Sequence, residues 1–218
     1  MNQLHFCEKI TYPKYFCLVL KEKRSLVVFS RISLLALSLF VLCAASYPHY
    51  IERGSDRKGR PYVRGSDLEN QIHLLINKER NKKGLPLLKW DATLASIARK
   101  HSRDMVERNY FSHVSPDGHD FSYRYKRDGY ACAVRVGRIR YLGAENIALN
   151  YLYDSVAIVN NTTYYDWNSE DKIAQTTVNG WMKSPGHRRN ILTQYFNGEG
   201  IGVFISPDDK VFITQNFC

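Results

Sequence analysis

The chain has 218 residues, the length of one ordinary domain plus an appendage, and its 44% hydrophobic share is that of a globular protein rather than a disordered one. Its 15 Tyr and 10 Phe suit a secreted or surface domain. The formal net charge of +10 raises nucleic acid as a partner; residues 1–51 hold six Lys/Arg against Glu8 and Glu22, the remainder 25 against 19, scattered without a nucleic-acid motif. No nucleic acid is therefore expected, and the surplus reads as solubility and attraction to anionic surfaces.

From Ile32 an uncharged apolar run of about 14 residues follows Lys21, Lys23, Arg24 and Arg31 and ends in small residues, which is the anatomy of a secretory signal with cleavage near Ala45 or Ser46. Counted on through Tyr50 and Ile51, the run approaches the about 20 residues of a spanning helix, so an uncleaved anchor stays open. In either case the basic flank stays in the cytoplasm and the rest is exported, to the cell surface or beyond. Residues 1–51 thus form a leader plus signal peptide or membrane anchor, 52–66 a linker without apolar periodicity, and 67–218 the folded domain. Of five cysteines only Cys132 and Cys218 belong to the exported part. In an oxidising compartment they suggest one disulfide, with free thiols as the alternative.

Ser66 and Glu69 have the spacing of a capping box, and Leu68, Ile72, Leu75 and Ile76 line one helical face until Gly84 and Pro86. A second helix starts at Asp91 as cap, with Leu94, Ile97, Ala98, His101 and Met105 inward; a histidine there reads as a hydrogen-bonded core residue. Tyr110 to Val114 alternates like a short extended segment, and Ser115-Pro116-Asp117-Gly118 has type I turn composition, which holds His113 at the lip of a rigid turn. Phe121 to Gly129 reads as a short helix. Residues 132–142, with Arg135, Arg138 and Arg140, read as a solvated basic loop.

Glu145 sits among small and apolar residues in Gly143-Ala144-Glu145-Asn146-Ile147-Ala148, and a shielded carboxylate calls for a partner such as a histidine or a metal. The stretch 150–171, with sequons at Asn160 and Asn161, reads as an exposed loop. A helix through Ile173 to Met182 leads to Ser184-Pro185-Gly186-His187, where Ser184 can cap a new helix, Pro185 fits its first position and His187 falls in the first turn. There the helix dipole disfavours the imidazolium, leaving a neutral imidazole able to bind metal or accept a proton. Gly200 to Ile205 and Lys210 to Gln215 alternate across Ser206-Pro207-Asp208-Asp209 as a hairpin.

Taken together, Leu85-Pro86-Leu87 with Trp90-Asp91, Phe111-Ser112-His113, Ser115-Pro116-Asp117-Gly118, Gly143 to Ala148, Gly180-Trp181-Met182, Ser184 to Leu192 and Gly200-Ile201-Gly202-Val203 resemble, in family order, the CAP superfamily. These are the SCP-like extracellular domains related to cysteine-rich secretory proteins, antigen 5 and plant pathogenesis-related 1 proteins, and the chain looks most like the short prokaryotic branch. The resemblance implies an α+β fold, an α-β-α sandwich around a small central antiparallel sheet. It also implies a cleft in which His113, His187 and Glu145 meet, a donor set suited to a divalent metal such as zinc. A second acid found in larger members has no counterpart near Ser184; Glu199, at the start of the hairpin, is the candidate substitute.

The resemblance fixes no reaction. The first expectation is an exported binding module, metal-loaded or not, that engages a lipid, sterol, glycan or protein. The alternatives are a metal-assisted, peptidase-like hydrolase with Glu145 as base, and a structural envelope protein. Ser112 and Ser115 flank His113, but neither sits on a nucleophile elbow.

Overall fold

The computed structural model describes residues 59–218; the leader with its signal or anchor and residues 52–58 of the linker lie outside them. In chain order the elements are α1 (Gly65–Asn81), β1 (Lys89–Trp90), α2 (Ala92–Glu107), α3 (Phe121–Arg127), β2 (Val134–Val136), β3 (Ile139–Tyr141), β4 (Ala144–Tyr151), β5 (Tyr153–Val159), β6 (Thr162–Trp167), α4 (Glu170–Lys183), α5 (Pro185–Ile191), β7 (Gly198–Ile205) and β8 (Lys210–Phe217). Among the described residues no helix is long and apolar enough to cross a membrane.

The central sheet has the order β1-β7-β8-β4. It is antiparallel except at β1, whose two residues pair parallel with β7. Its two faces are packed differently, and the sequence of β7 shows why. Alternate residues of a strand point to opposite faces. Ile201 and Val203 enter the main core with Leu68, Ile72 and Ile76 of α1, Ile173, Val178 and Trp181 of α4, and Ile191 of α5. Gly200 and Gly202 face α2, where an added Cβ would lie 2.0 Å from the backbone nitrogens of Ala95 and Arg99 respectively. Only glycine lets helix and strand approach so closely. The result is the expected α-β-α sandwich, with α2 on one side and α1, α4 and α5 on the other.

Several local expectations change. The capping box at Ser66 and Glu69 does not form, because the Glu69 carboxylate binds the Arg99 guanidinium and accepts from the Val203 N–H at 3.0 Å. The N-terminal end of α1 instead sends the Arg64 N–H to Glu170 at 2.9 Å. Asp91 caps α2 as expected, accepting from Thr93 and Leu94. Ser184 takes the N-cap position of α5, with Pro185 following, but its hydroxyl makes no capping bond. Tyr110 to Val114 is not a strand. Both regions read as loops are ordered hairpins: β2 pairs with β3, and β5 with β6 around a turn at Asn160 and Asn161, both at positive φ. Cys132 and Cys218 are bonded, fastening the C-terminal residue to the segment before β2.

Candidate functional site

The sheet ends at β4, and the site is built around that edge. Glu145 and Asn146 are successive residues of β4, so their side chains leave on opposite faces. Asn146 reaches the α5 side, donating to the His187 carbonyl at 3.3 Å and to Gln215 at 3.0 Å. Asn190 of α5 clamps the same edge, donating to the Glu145 carbonyl at 3.2 Å and to Asn146 Oδ1 at 2.8 Å. These bonds hold α5 against the open edge and bring His187 over it.

Glu145 itself turns toward α2 and α3, where its side chain is 1% exposed. Arg124 of α3 donates to Oε2 at 2.7 Å, and His113 Nδ1 donates to Oε1 at 3.0 Å. His101 Nε2 lies 3.8 Å from Oε1 and donates to the Ser112 carbonyl at 3.1 Å, pinning the residue before His113. Burial pushes the Glu145 carboxyl upward, but the His113 hydrogen bond and then the Arg124 charge outweigh it and leave the pKa lowered. Glu145 is thus a buried, ionised acceptor with both oxygens engaged.

His113 is 46% exposed and faces His187, with 6.3 Å between ring centroids. Its Nε2 and both ring nitrogens of His187 have no hydrogen-bond partner among the described residues. Burial first, and the neighbouring His113 second, lower the His187 pKa to about 4. Neutrality was expected from the helix dipole; desolvation is the leading cause. His101 is likewise lowered to about 4, chiefly by burial.

The structure therefore places His113 beside both Glu145 and His187 at the β4 edge, with His113 as the link. Among the described residues no group of three or more His, Cys, Asp or Glu is arranged to hold a metal ion. The donor chemistry fits a narrower arrangement, in which two imidazoles offer free nitrogens and Glu145 stands behind His113 as its orienting acceptor.

Four further residues change the picture. Arg124, the main countercharge of Glu145, was not anticipated: on a short helix beside Lys126 and Arg127 it looks like one more solvated cation, and no spacing marks it as buried. Glu199 does not supply the second acid. It is fully buried on the other face of the sheet, accepting from His73 at 2.6 Å and from Gln215 at 2.5 Å. Ser112 and Ser115 accept from the backbone N–H groups of Val114 and His119, which occupies their hydroxyls locally.

The three-layer sandwich with its small central sheet is the fold of SCP-domain proteins. The model of the cysteine-rich secretory protein family, CAP, matches residues 74–217, and the chain belongs to that family. It is 35% identical over 149 residues to the uncharacterized membrane protein YlbC of Bacillus subtilis, covering 68% of this chain and 34% of that protein. It is 32% identical over 144 residues to YkwD of the same organism, covering 63% of this chain and 42% of that one. The crystal structure of an extracellular SCP-domain protein from Bacillus anthracis superposes with a TM-score of 0.53 at 32% identity, covering 72% of this chain and 44% of that one. The chain spans less than half the length of each of these relatives.

Proposed function

We infer that this protein is an exported, non-catalytic binding module whose β4-edge crevice takes its ligand through His113 and His187, with a divalent ion, zinc by donor type, as the bridge. The observation that carries this reading is the pair of neighbouring imidazoles, with nitrogens that no described protein group uses, His187 held neutral by burial and His113 oriented by a buried carboxylate. Imidazole nitrogens in that state are good ligands for zinc, and the acceptor behind His113 fixes its tautomer and raises its basicity. Bound there, the ion would offer open positions to a group on a lipid, sterol, glycan or protein. Export to the cell surface is supported by the extracellular relative and by the relative named as a membrane protein.

Hydrolysis with Glu145 as base is the weaker reading. A carboxylate ion-paired with Arg124, with a lowered pKa, is a poor proton acceptor near neutral pH.

The test is the zinc affinity of the purified protein against a His113→Ala/His187→Ala double variant and Glu145→Gln. The double variant is expected to lose specific zinc binding, and Glu145→Gln to weaken it by about 10- to 100-fold through the orientation of His113. Equal zinc content in wild type and double variant would remove the metal from the proposal.

A further inference from the structure

The hairpin β2–β3 has no part in the crevice, yet it is built in a way that its own stability does not explain. Arg135 and Arg140 are directly cross-strand, so two guanidinium groups share one face, and Arg138 follows Gly137 in the turn. Like charges directly opposed destabilise a strand pair. All three arginines are exposed, and among the described residues none forms an ion pair with an acid. The local sequence offers no relief, since no Asp or Glu occurs between Gly129 and Glu145.

The base of the hairpin is firmly held. Val134 packs on the cluster of Leu94, Ile97 and Tyr125, Tyr141 packs on the main core, and the Cys132–Cys218 bond closes the segment below. Two aliphatic side chains stay uncovered: Ile139, next to the turn, is 59% exposed, and Leu142, just after β3, is 51% exposed. The finger therefore carries Arg138 at its turn, Arg135 and Arg140 on one face and the uncovered Ile139 on the other, so that an end-on approach brings the cations and the isoleucine to one surface. A soluble anion would satisfy the arginines and leave the aliphatic groups in water. A bilayer satisfies both, because its interface offers phosphate to guanidinium and an acyl boundary to an isoleucine.

We propose that hairpin β2–β3 docks end-on onto an anionic lipid bilayer, with Arg135, Arg138 and Arg140 on headgroup phosphates and Ile139 at the headgroup–acyl boundary. None of these residues belongs to the His113–His187 pair.

The test is cosedimentation of the full chain with vesicles of phosphatidylcholine alone and of phosphatidylcholine mixed with phosphatidylglycerol. The ratio of the two partition constants cancels whatever residues 1–51 contribute equally to both. Each arginine near an anionic surface is worth roughly a fivefold change, so Arg135→Gln/Arg138→Gln/Arg140→Gln is expected to lower that ratio on the order of 100-fold. Lys78→Gln/Lys82→Gln/Lys83→Gln, with the same loss of charge on another part of the molecule, is expected to lower it far less. Ile139→Ser is expected to weaken binding to anionic vesicles while leaving any binding of soluble polyphosphate unchanged. Near-ultraviolet circular dichroism checks that the variants fold. Equal losses in the two triple variants would reduce the effect to net charge and overturn the proposal. Binding of soluble polyphosphate through the arginines without vesicle binding would overturn the bilayer as the occupant.

Discussion

Glu145 stays ionised inside the protein because Arg124 and His113 occupy its two oxygens, while His101 and His187 lose their usual basicity to burial. The consequence for stability has a definite sign. A histidine with an ordinary pKa near 6.5 that falls to about 4 on folding binds a proton in the unfolded chain but not in the folded one between those values. Its contribution is complete above about pH 6.5 and is lost as pH falls toward 4, and protonation of Glu145, whose pKa is also lowered, adds loss in the same direction. Urea midpoints measured from pH 7 to pH 4.5 should therefore fall steeply. His101→Gln should flatten the dependence by up to about 1.4 kcal/mol per pH unit, and an unchanged slope would show that His101 is not buried neutral. His113, His187 and Glu145 were legible at this scale because each sits in a short motif that resembles a family's cleft. Arg124 was not, since its burial depends on α3 folding back over β4.

At the scale of elements, the packing of β7 on α2 rests on Gly200 and Gly202. The neighbours a Cβ would meet are backbone atoms of α2, which cannot move aside as a flexible side chain could. Gly202→Ala is expected to cost about 3 kcal/mol or more, seen as a lowered denaturation midpoint. Gly186→Ala meets nothing within 4 Å and is expected to be neutral or to stabilise α5 by up to about 1 kcal/mol. If the two variants unfold alike, close approach is not what fixes those glycines. Helices were well legible here: the inward stripe of α2 and the Asp91 cap follow directly from spacing. The hairpins β2–β3 and β5–β6 were misread as loops because arginine, asparagine and threonine suggest solvent, whereas the pairing comes from tight turns at Gly137 and at Asn160-Asn161. The capping box at Ser66 failed for a related reason: Glu69 found stronger partners, Arg99 and the Val203 N–H, that are distant in sequence.

For the whole molecule, the bond between Cys132 and Cys218 closes a loop with a sequence separation of 86 residues. In the chain-entropy account, a loop of that size stabilises the fold by about 4 kcal/mol. The Cys132→Ser/Cys218→Ser variant should therefore unfold at much lower urea, with a loss of unfolding free energy of that size; a loss below about 1 kcal/mol would mean that packing alone holds the C-terminus. The same bond ties the segment just before β2 to the residue that follows β8. By itself the sequence carried the sandwich, through its resemblance to a family, the pairing of Cys132 and Cys218 as the favoured option, and the candidates His113, His187 and Glu145, because local spacing and short motifs carry that information. Only the tertiary structure decided that Arg124 neutralises Glu145, that Glu199 belongs to His73 on the opposite face, and that three arginines stand unpaired on a finger, because ion pairing is set by which side chains the fold brings within a few ångströms.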